Sequence, residues 1–183
     1  MTQRPDTCAE RLARALARHS RIAFGVMGNG NAHVIDALLR TECRYLATRH
    51  EAGAVGAADG FWRATGSLAV ATVTYGPGYT NALTPLAEAA QARTPMLVVI
   101  GAAPSTGPRP WDVDQPALAE ALGVPTVTLS ADGIEATVAE ASRRSLSERR
   151  PVVIALPYDV ATSPANGPSS AEGPATPTAR EVT

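Results

Sequence analysis

Lysine is absent from this 183-residue sequence, and all sixteen basic residues are arginine. That excludes the chemistries that use a lysine amine as nucleophile or phosphate clamp: Schiff-base aldolases, pyridoxal-phosphate enzymes and P-loop nucleotide hydrolases. Cysteine is scarce too. Cys8 and Cys43 form neither a CxxC motif nor a zinc-ligand spacing. Two isolated thiols without a secretory leader point to a reducing compartment, the cytoplasm. The first twenty-one residues are arginine-rich but contain Asp6 and Glu10 and lack an apolar core, so they match neither a secretory nor a transit signal. No uninterrupted apolar run approaches the roughly 20 residues of a membrane span. The formal charge of -1 gives no electrostatic reason to expect nucleic acid. Small molecules and other proteins remain as partners.

With 45% hydrophobic residues the chain is long enough for one α/β core and too short for two. Leu12, Ala15 and Leu16 fall at helical spacing among arginines, which predicts an amphipathic helix over 6–19. Short apolar runs predict strands over 22–26, 44–47, 68–74, 95–101, 125–129 and 152–156. Helical stretches fall between them, at 31–39, 50–64, 78–91, 117–122 and 133–147. Continuous apolar strands alternating with helices require crossover connections, hence a doubly wound α/β domain: a parallel sheet with helices on both faces. This domain is expected over 1–161. The segment 162–183 is rich in Pro, Ser, Ala and Gly with almost no large apolar side chain, and is expected to be a disordered tail.

In such sheets ligands sit beyond the carboxyl ends of the strands. Three loops begin there: Gly28-Asn29-Gly30-Asn31, His50-Glu51, and Thr74-Tyr75-Gly76-Pro77-Gly78. Glu51 is one carboxylate in an Ala/Gly stretch, a setting that strips hydration and brings the neutral form within reach, as a proton-sharing group needs. By residue type alone it could equally be a glutamate in a helix's first turn, favoured by the macrodipole. The glycines at 25, 28 and 30 do not have the GxGxxG spacing of a dinucleotide site.

The ordered segments Phe24-Gly25-Val26-Met27-Gly28, Arg49-His50-Glu51-Ala52-Gly53-Ala54, Ala58-Asp59-Gly60-Phe61-Trp62-Arg63, Gly76-Pro77-Gly78-Tyr79-Thr80-Asn81, Pro95-Met96-Leu97-Val98-Val99-Ile100-Gly101 and Pro151-Val152-Val153-Ile154-Ala155-Leu156-Pro157 together resemble the pyrimidine-binding (PYR) domain of thiamine-diphosphate enzymes. The resemblance is to the acetolactate synthase, pyruvate oxidase and benzoylformate decarboxylase group, and it covers residues 21–159. It implies that Glu51 hydrogen-bonds N1′ of the cofactor's aminopyrimidine and acts as the acid-base group. It further implies cofactor contacts at Thr74, Gly76, Pro77, Gly78 and Asn81, and a substrate pocket drawing on Met27, Gly28, Asn29, His50 and Gln115. Met27 stands where many relatives have proline. His50 either orients Glu51, lines the pocket or is structural, and Gln115 is either a pocket residue or a helix start.

Members of that group also carry a second domain whose Gly-Asp-Gly and downstream Asn hold magnesium and the diphosphate. Neither Ala58-Asp59-Gly60 nor Ala131-Asp132-Gly133 fits that role. The expectation is therefore a half-enzyme, sharing thiamine diphosphate with a separate diphosphate-binding (PP) subunit that holds Mg2+, in an α2β2 assembly acting on a 2-oxo acid by decarboxylation or carboligation. No FAD is expected. The alternative is a noncatalytic structural or regulatory subunit that kept the fold. The Ala/Gly-rich helix after Glu51, with Phe61 and Trp62 near its end, is expected at a subunit interface.

Overall fold

The computed structural model describes residues 4–167. Helices and strands alternate: α1 Cys8–His19, β1 Ile22–Gly25, α2 Ala32–Leu38, β2 Arg44–Ala47, α3 Glu51–Thr65, β3 Val70–Val73, α4 Pro77–Gln91, β4 Met96–Ala102, α5 Gln115–Ala121, β5 Thr126–Thr128, α6 Ile134–Glu148, β6 Pro151–Pro157 and α7 Tyr158–Ala161. The six strands form one parallel sheet in the order β2-β1-β3-β4-β6-β5. This is the doubly wound α/β architecture that the alternation predicts.

Period-2 alternation divides the core between the two faces. Leu97 and Val99 of β4 and Val152, Ile154 and Leu156 of β6 meet Leu12, Leu16, Leu38, Ile134 and Val138 of α1, α2 and α6. Their neighbours Met96, Val98, Ile100, Val153 and Ala155 meet Val55, Ala58, Leu86 and Ala119 of α3, α4 and α5. Every residue of β6 is buried, which is why it reads as an uninterrupted apolar run.

The chain leaves β1 for β2 on one side and then returns to β3 on the other. Their carboxyl ends therefore diverge at a topological switch point between β1 and β3, the place where α/β sheets open a ligand crevice. A second reversal lies between β4 and β5.

Two expectations change. Residues 162–167 do not begin a structureless tail: Ser163 O accepts from Cys8 N at 2.9 Å, Ala165 N donates to Asp6 O at 2.9 Å and Asn166 N to Ala131 O at 2.8 Å. Arg11 Nη1 adds a bond to Gly167 O at 3.1 Å. Backbone pairing with Asp6, Cys8 and Ala131, together with Ala165 packed on the core, holds this segment in place. The rest of the expected tail, 168–183, lies outside the described residues. Trp62 is turned inward, only 8% exposed, and Phe61 packs on Phe24 with ring centroids 6.2 Å apart. Neither ring projects as an interface anchor. The exposed side of α3 consists instead of Gly53, Gly56, Gly60 and Ala64 with Arg63 and Thr65.

Candidate functional site

The loop after β1 is locked from beneath by Asn31, which is 1% exposed. Its Oδ1 accepts from Gly28 N at 2.8 Å, and its Nδ2 donates to Val26 O and to Thr72 Oγ1, both at 3.1 Å. Each polar atom of a buried amide is thereby satisfied, which fixes the loop. Thr74, just beyond β3, ties this loop to the next: its Oγ1 accepts from Gly30 N at 2.9 Å. Its methyl group lies against Gly28 and Gly78. Thr74 thus braces the site between the two loops.

Gly76 has φ +56°, and a Cβ there would sit 2.5 Å from Trp111 O, so both conformation and space require glycine. Pro77 then opens α4 at a position whose missing N–H costs nothing. Gly78 faces Thr74 Cγ2 and the carboxyl of Glu51; a Cβ on it would fall 2.5 Å from the first and 3.3 Å from Glu51 Oε1. The carboxyl therefore rests on bare backbone.

Glu51 is the first residue of α3, and His50 caps that helix with Nδ1 accepting from Ala52 N at 3.1 Å. His50 is exposed, and its position as a cap favours the structural alternative for this nitrogen. Glu51 Oε2 accepts from Asn81 Nδ2 at 3.1 Å. This bond joins the first turns of α3 and α4. Glu51 is only half-buried, so the small residues around it do not by themselves seclude the carboxyl as the sequence suggests.

Met27 is 67% exposed. Asn29 donates to Tyr75 Oη at 2.9 Å. Gln115 is 2% exposed, and its Nε2 donates to Gly101 O at 2.9 Å, beneath the loop and not facing a pocket. Glu51, Thr74, Gly76, Pro77, Gly78 and Asn81 therefore come together with Gly28, whereas Gln115 stands apart.

A cation-aromatic cluster beside these residues was not legible in the sequence. The guanidinium of Arg109 lies 4.1 Å from the ring centroid of Tyr75, 5.0 Å from Tyr158 and 5.5 Å from Trp111. Asp112 accepts from Arg109 Nε at 2.9 Å, Nη2 at 3.0 Å and backbone N at 2.8 Å. The Arg109 hydrogen bonds hold the Asp112 carboxyl below its ordinary range despite its burial. Asp159 accepts from Ser105 N at 2.9 Å and from Ser105 Oγ. These contacts fold the Pro/Gly-rich connection over β3 and β6. The acidic residue three positions after Arg109 is the one sequence signal for it.

Residues 6–115 match the family described as thiamine pyrophosphate enzyme, N-terminal TPP binding domain. The chain is 33% identical over 162 residues to the acetolactate synthase large subunit of Corynebacterium glutamicum, covering 84% of this chain and 26% of that protein. It is 33% identical over 172 residues to a probable 2-ketoarginine decarboxylase of Pseudomonas aeruginosa, covering 88% of this chain and 31% of that protein. With 2-hydroxyacyl-CoA lyase 2 of Danio rerio it shares 38% identity over 102 residues, 55% of this chain and 16% of that protein. The chain thus spans less than a third of the length of these relatives. Placed beside the switch-point crevice and the Glu51, Gly78 and Asn81 constellation, the match to more than half the sequence shows that the chain belongs to the thiamine pyrophosphate enzyme family and carries its N-terminal TPP-binding domain.

Proposed function

We propose that this chain is the PYR half of a two-chain thiamine-diphosphate-dependent 2-oxo acid decarboxylase or acetolactate synthase-like carboligase. The observation that carries this reading is the Glu51 carboxyl lying on the bare backbone of Gly78 with Oε2 held by Asn81. Such a cradle fits the flat edge of an aminopyrimidine: a side chain at Gly78 would fill it, and the carboxyl is the acceptor or donor a ring nitrogen needs. When bound, thiamine diphosphate supplies the electron sink for breaking or making the bond beside a 2-oxo carbonyl. Glu51 holds or moves the proton at the ring nitrogen, and Asn81 fixes the carboxyl so that Oε1 is left for that contact. Asn31 and Thr74 hold the loops at the distance this requires. Met27, Asn29 and His50 stand on the open side, where a substrate would approach; Gln115 acts from below by fixing β4.

Among the described residues, no group of three or more His, Cys, Asp or Glu is placed to hold a metal ion. A divalent cation on a diphosphate needs fixed oxygen ligands. In this reading a PP-domain polypeptide supplies them with Mg2+, and the half-exposed Glu51 becomes enclosed when the two chains meet, in an α2β2 complex. No described helix is long and apolar enough to cross a membrane. The buried, free Cys8 and Cys43 suit the reducing cytoplasm. Retention of the Glu51–Asn81 pair favours a catalytic over a merely structural subunit, since neither core nor sheet needs that bond.

Copurification with a polypeptide carrying Gly-Asp-Gly and a downstream Asn, followed by calorimetry with thiamine diphosphate and Mg2+, tests the proposal. Tight cofactor binding is expected only from the mixture. Submicromolar binding by this chain alone overturns the two-chain reading. Glu51→Gln in the complex is expected to slow 2-oxo acid turnover by roughly 10²-fold to 10⁴-fold, and wild-type turnover would remove Glu51 from the mechanism.

A further inference from the structure

At the amino ends of the strands, on the far end of the sheet from Glu51, the ends of α4, α5 and α6 frame a recess of about 350 Å³. Its walls include Arg93, Arg149, Arg150 and Glu148, with Ala90 and Leu122 as an apolar patch. Three guanidinium groups thus face one carboxylate.

That carboxylate is already shared. Arg144 Nε lies 3.0 Å from Glu148 Oε1, and Arg150 Nη2 lies 2.7 Å from Oε2. Arg93 donates through Nη2 to Glu148 O at 3.2 Å, and Arg150 through Nη1 to Gly123 O at 3.0 Å. These two bonds cap the carbonyl ends of α6 and α5 and mask part of their negative dipole. Each takes one donor from a guanidinium that has five. The Arg149 backbone N–H donates to Ser145 O, but its guanidinium has no hydrogen-bond or ion-pair partner among the described residues, and both Arg149 and Arg93 are exposed. The recess therefore holds an excess of positive charge with unused, forked donors.

The backbone gives an independent reason to single out these side chains. Arg93 and Arg149 have φ +56° and +51°, and they are the non-glycine residues in the left-handed region among those described. Both follow the end of a helix, where glycine is the strain-free choice; at the third helix end Gly123 takes that role with φ +70°. A residue needed only to reverse the chain has no reason to carry a Cβ and a guanidinium there, and strain of this kind concentrates at functional sites.

We propose that this recess binds a small organic oxyanion, phosphorylated or polycarboxylate, with Arg93 and Arg149 gripping the anionic group and Ala90 and Leu122 packing against its apolar part. Guanidinium forks match the oxygen spacing of both phosphate and carboxylate. The volume lies within the range of metabolite sites. Because the recess opens at the amino ends of the strands, its occupant would not compete for the Glu51 crevice.

The test is calorimetric titration of the full chain with pyrophosphate and, separately, citrate, each against sodium chloride of equal ionic strength. Saturable one-to-one binding is expected for at least one anion, and which of them binds identifies the phosphoryl or the polycarboxylate class. Arg93→Gly and Arg149→Gly are each expected to weaken that binding at least tenfold while the ligand-free thermal midpoint stays level or rises, because glycine relieves the left-handed backbone. Heats no different from the chloride control for both anions, or glycine variants that bind as tightly as wild type, would overturn the assignment. A tenfold loss accompanied by a lower midpoint is resolved by Arg149→Gln, which keeps the Cβ and must also lose binding if the charge is what matters.

Discussion

Asn81 Nδ2 lies 3.1 Å from Glu51 Oε2, a hydrogen bond between residues thirty positions apart that ties the start of α4 to the start of α3. α3 begins beyond the carboxyl end of β2 and α4 beyond that of β3, the two strands that flank β1, so the sheet sets their relative position. Asn81 is exposed, and a bond to a charged group there is worth less than the roughly 1.5–3 kcal/mol of a protected one. In the assembled enzyme, Asn81→Ala should lower turnover by about tenfold, the effect of some 1.4 kcal/mol. Its thermal midpoint should remain within a few degrees of wild type. Steady-state rates together with a melting curve check this, and a collapse of the fold would instead make Asn81 structural.

Gly78→Ala tests the close approach directly. The added methyl would fall 2.5 Å from Thr74 Cγ2 and 3.3 Å from Glu51 Oε1, and forcing such overlap typically costs about 1–3 kcal/mol. Thr74→Ser keeps the hydroxyl that Gly30 N needs and removes the clashing methyl. The double variant should therefore be more stable than the sum of the two single changes predicts. Urea midpoints of the four proteins measure this coupling, and strict additivity would mean that Thr74 is not what Gly78 makes room for.

The sheet and its flanking helices were legible because β4 and β6 are uninterrupted apolar runs, the shorter β3 and β5 are apolar or β-branched, and helical stretches alternate with the strands. Boundaries shift by only a few residues: Gln115 starts α5, where the sequence suggests Ala117. The meeting of Glu51 with Gly78 and Asn81 was legible too, through the glycines and the motif around them. What escaped depends on distant partners. Nothing in the composition of 162–167 announces that Cys8, Asp6, Arg11 and Ala131 offer it hydrogen bonds. That the Thr74 hydroxyl takes Gly30 N, forty-four positions away, could not be read from the sequence. Gln115 reads as either a pocket residue or a helix start; it opens α5, and its buried amide donates to Gly101 O. Trp62 reads as an interface anchor because helical spacing alone does not say which side of α3 faces the core.

Gly56 and Gly60 lie in the interior of α3, and a Cβ on either would meet nothing within 4 Å. In the isolated chain alanine should therefore be stabilising at each, by roughly 0.5–1 kcal/mol, through lower conformational entropy of the unfolded state and better helix propensity. Chemical denaturation of the single variants measures this. If this face meets the diphosphate-binding chain closely, Gly56→Arg should leave the fold intact and abolish complex formation in light scattering. Unimpaired assembly by that variant would place the interface elsewhere.

The strongest stability signal against acid should come from Arg11 and Glu135, which join α1 to α6. Arg11 is 5% exposed, and its Nη2 donates to Glu135 Oε2 at 2.7 Å, with Nε on Oε1. Burial pushes the Glu135 carboxyl up, but the Arg11 hydrogen bonds, the backbone at the start of α6 and the Arg11 charge outweigh it and hold it below its ordinary 4.5. A depressed carboxyl contributes stability that is fully present above the unfolded value and is lost as pH falls through the folded one. The wild type should thus weaken progressively below about pH 4.5, with Glu10, Asp112 and Asp159 adding to the same slope. Glu135→Gln removes the carboxylate that takes two hydrogen bonds from the buried Arg11 guanidinium and should cost about 3 kcal/mol at neutral pH. The gap to wild type should then narrow as the pH falls, because the variant has no carboxylate at this position to protonate. Urea unfolding at pH 7 and at pH 3.5 measures both ends, and a constant gap between the two proteins would show that Glu135 does not titrate with the fold.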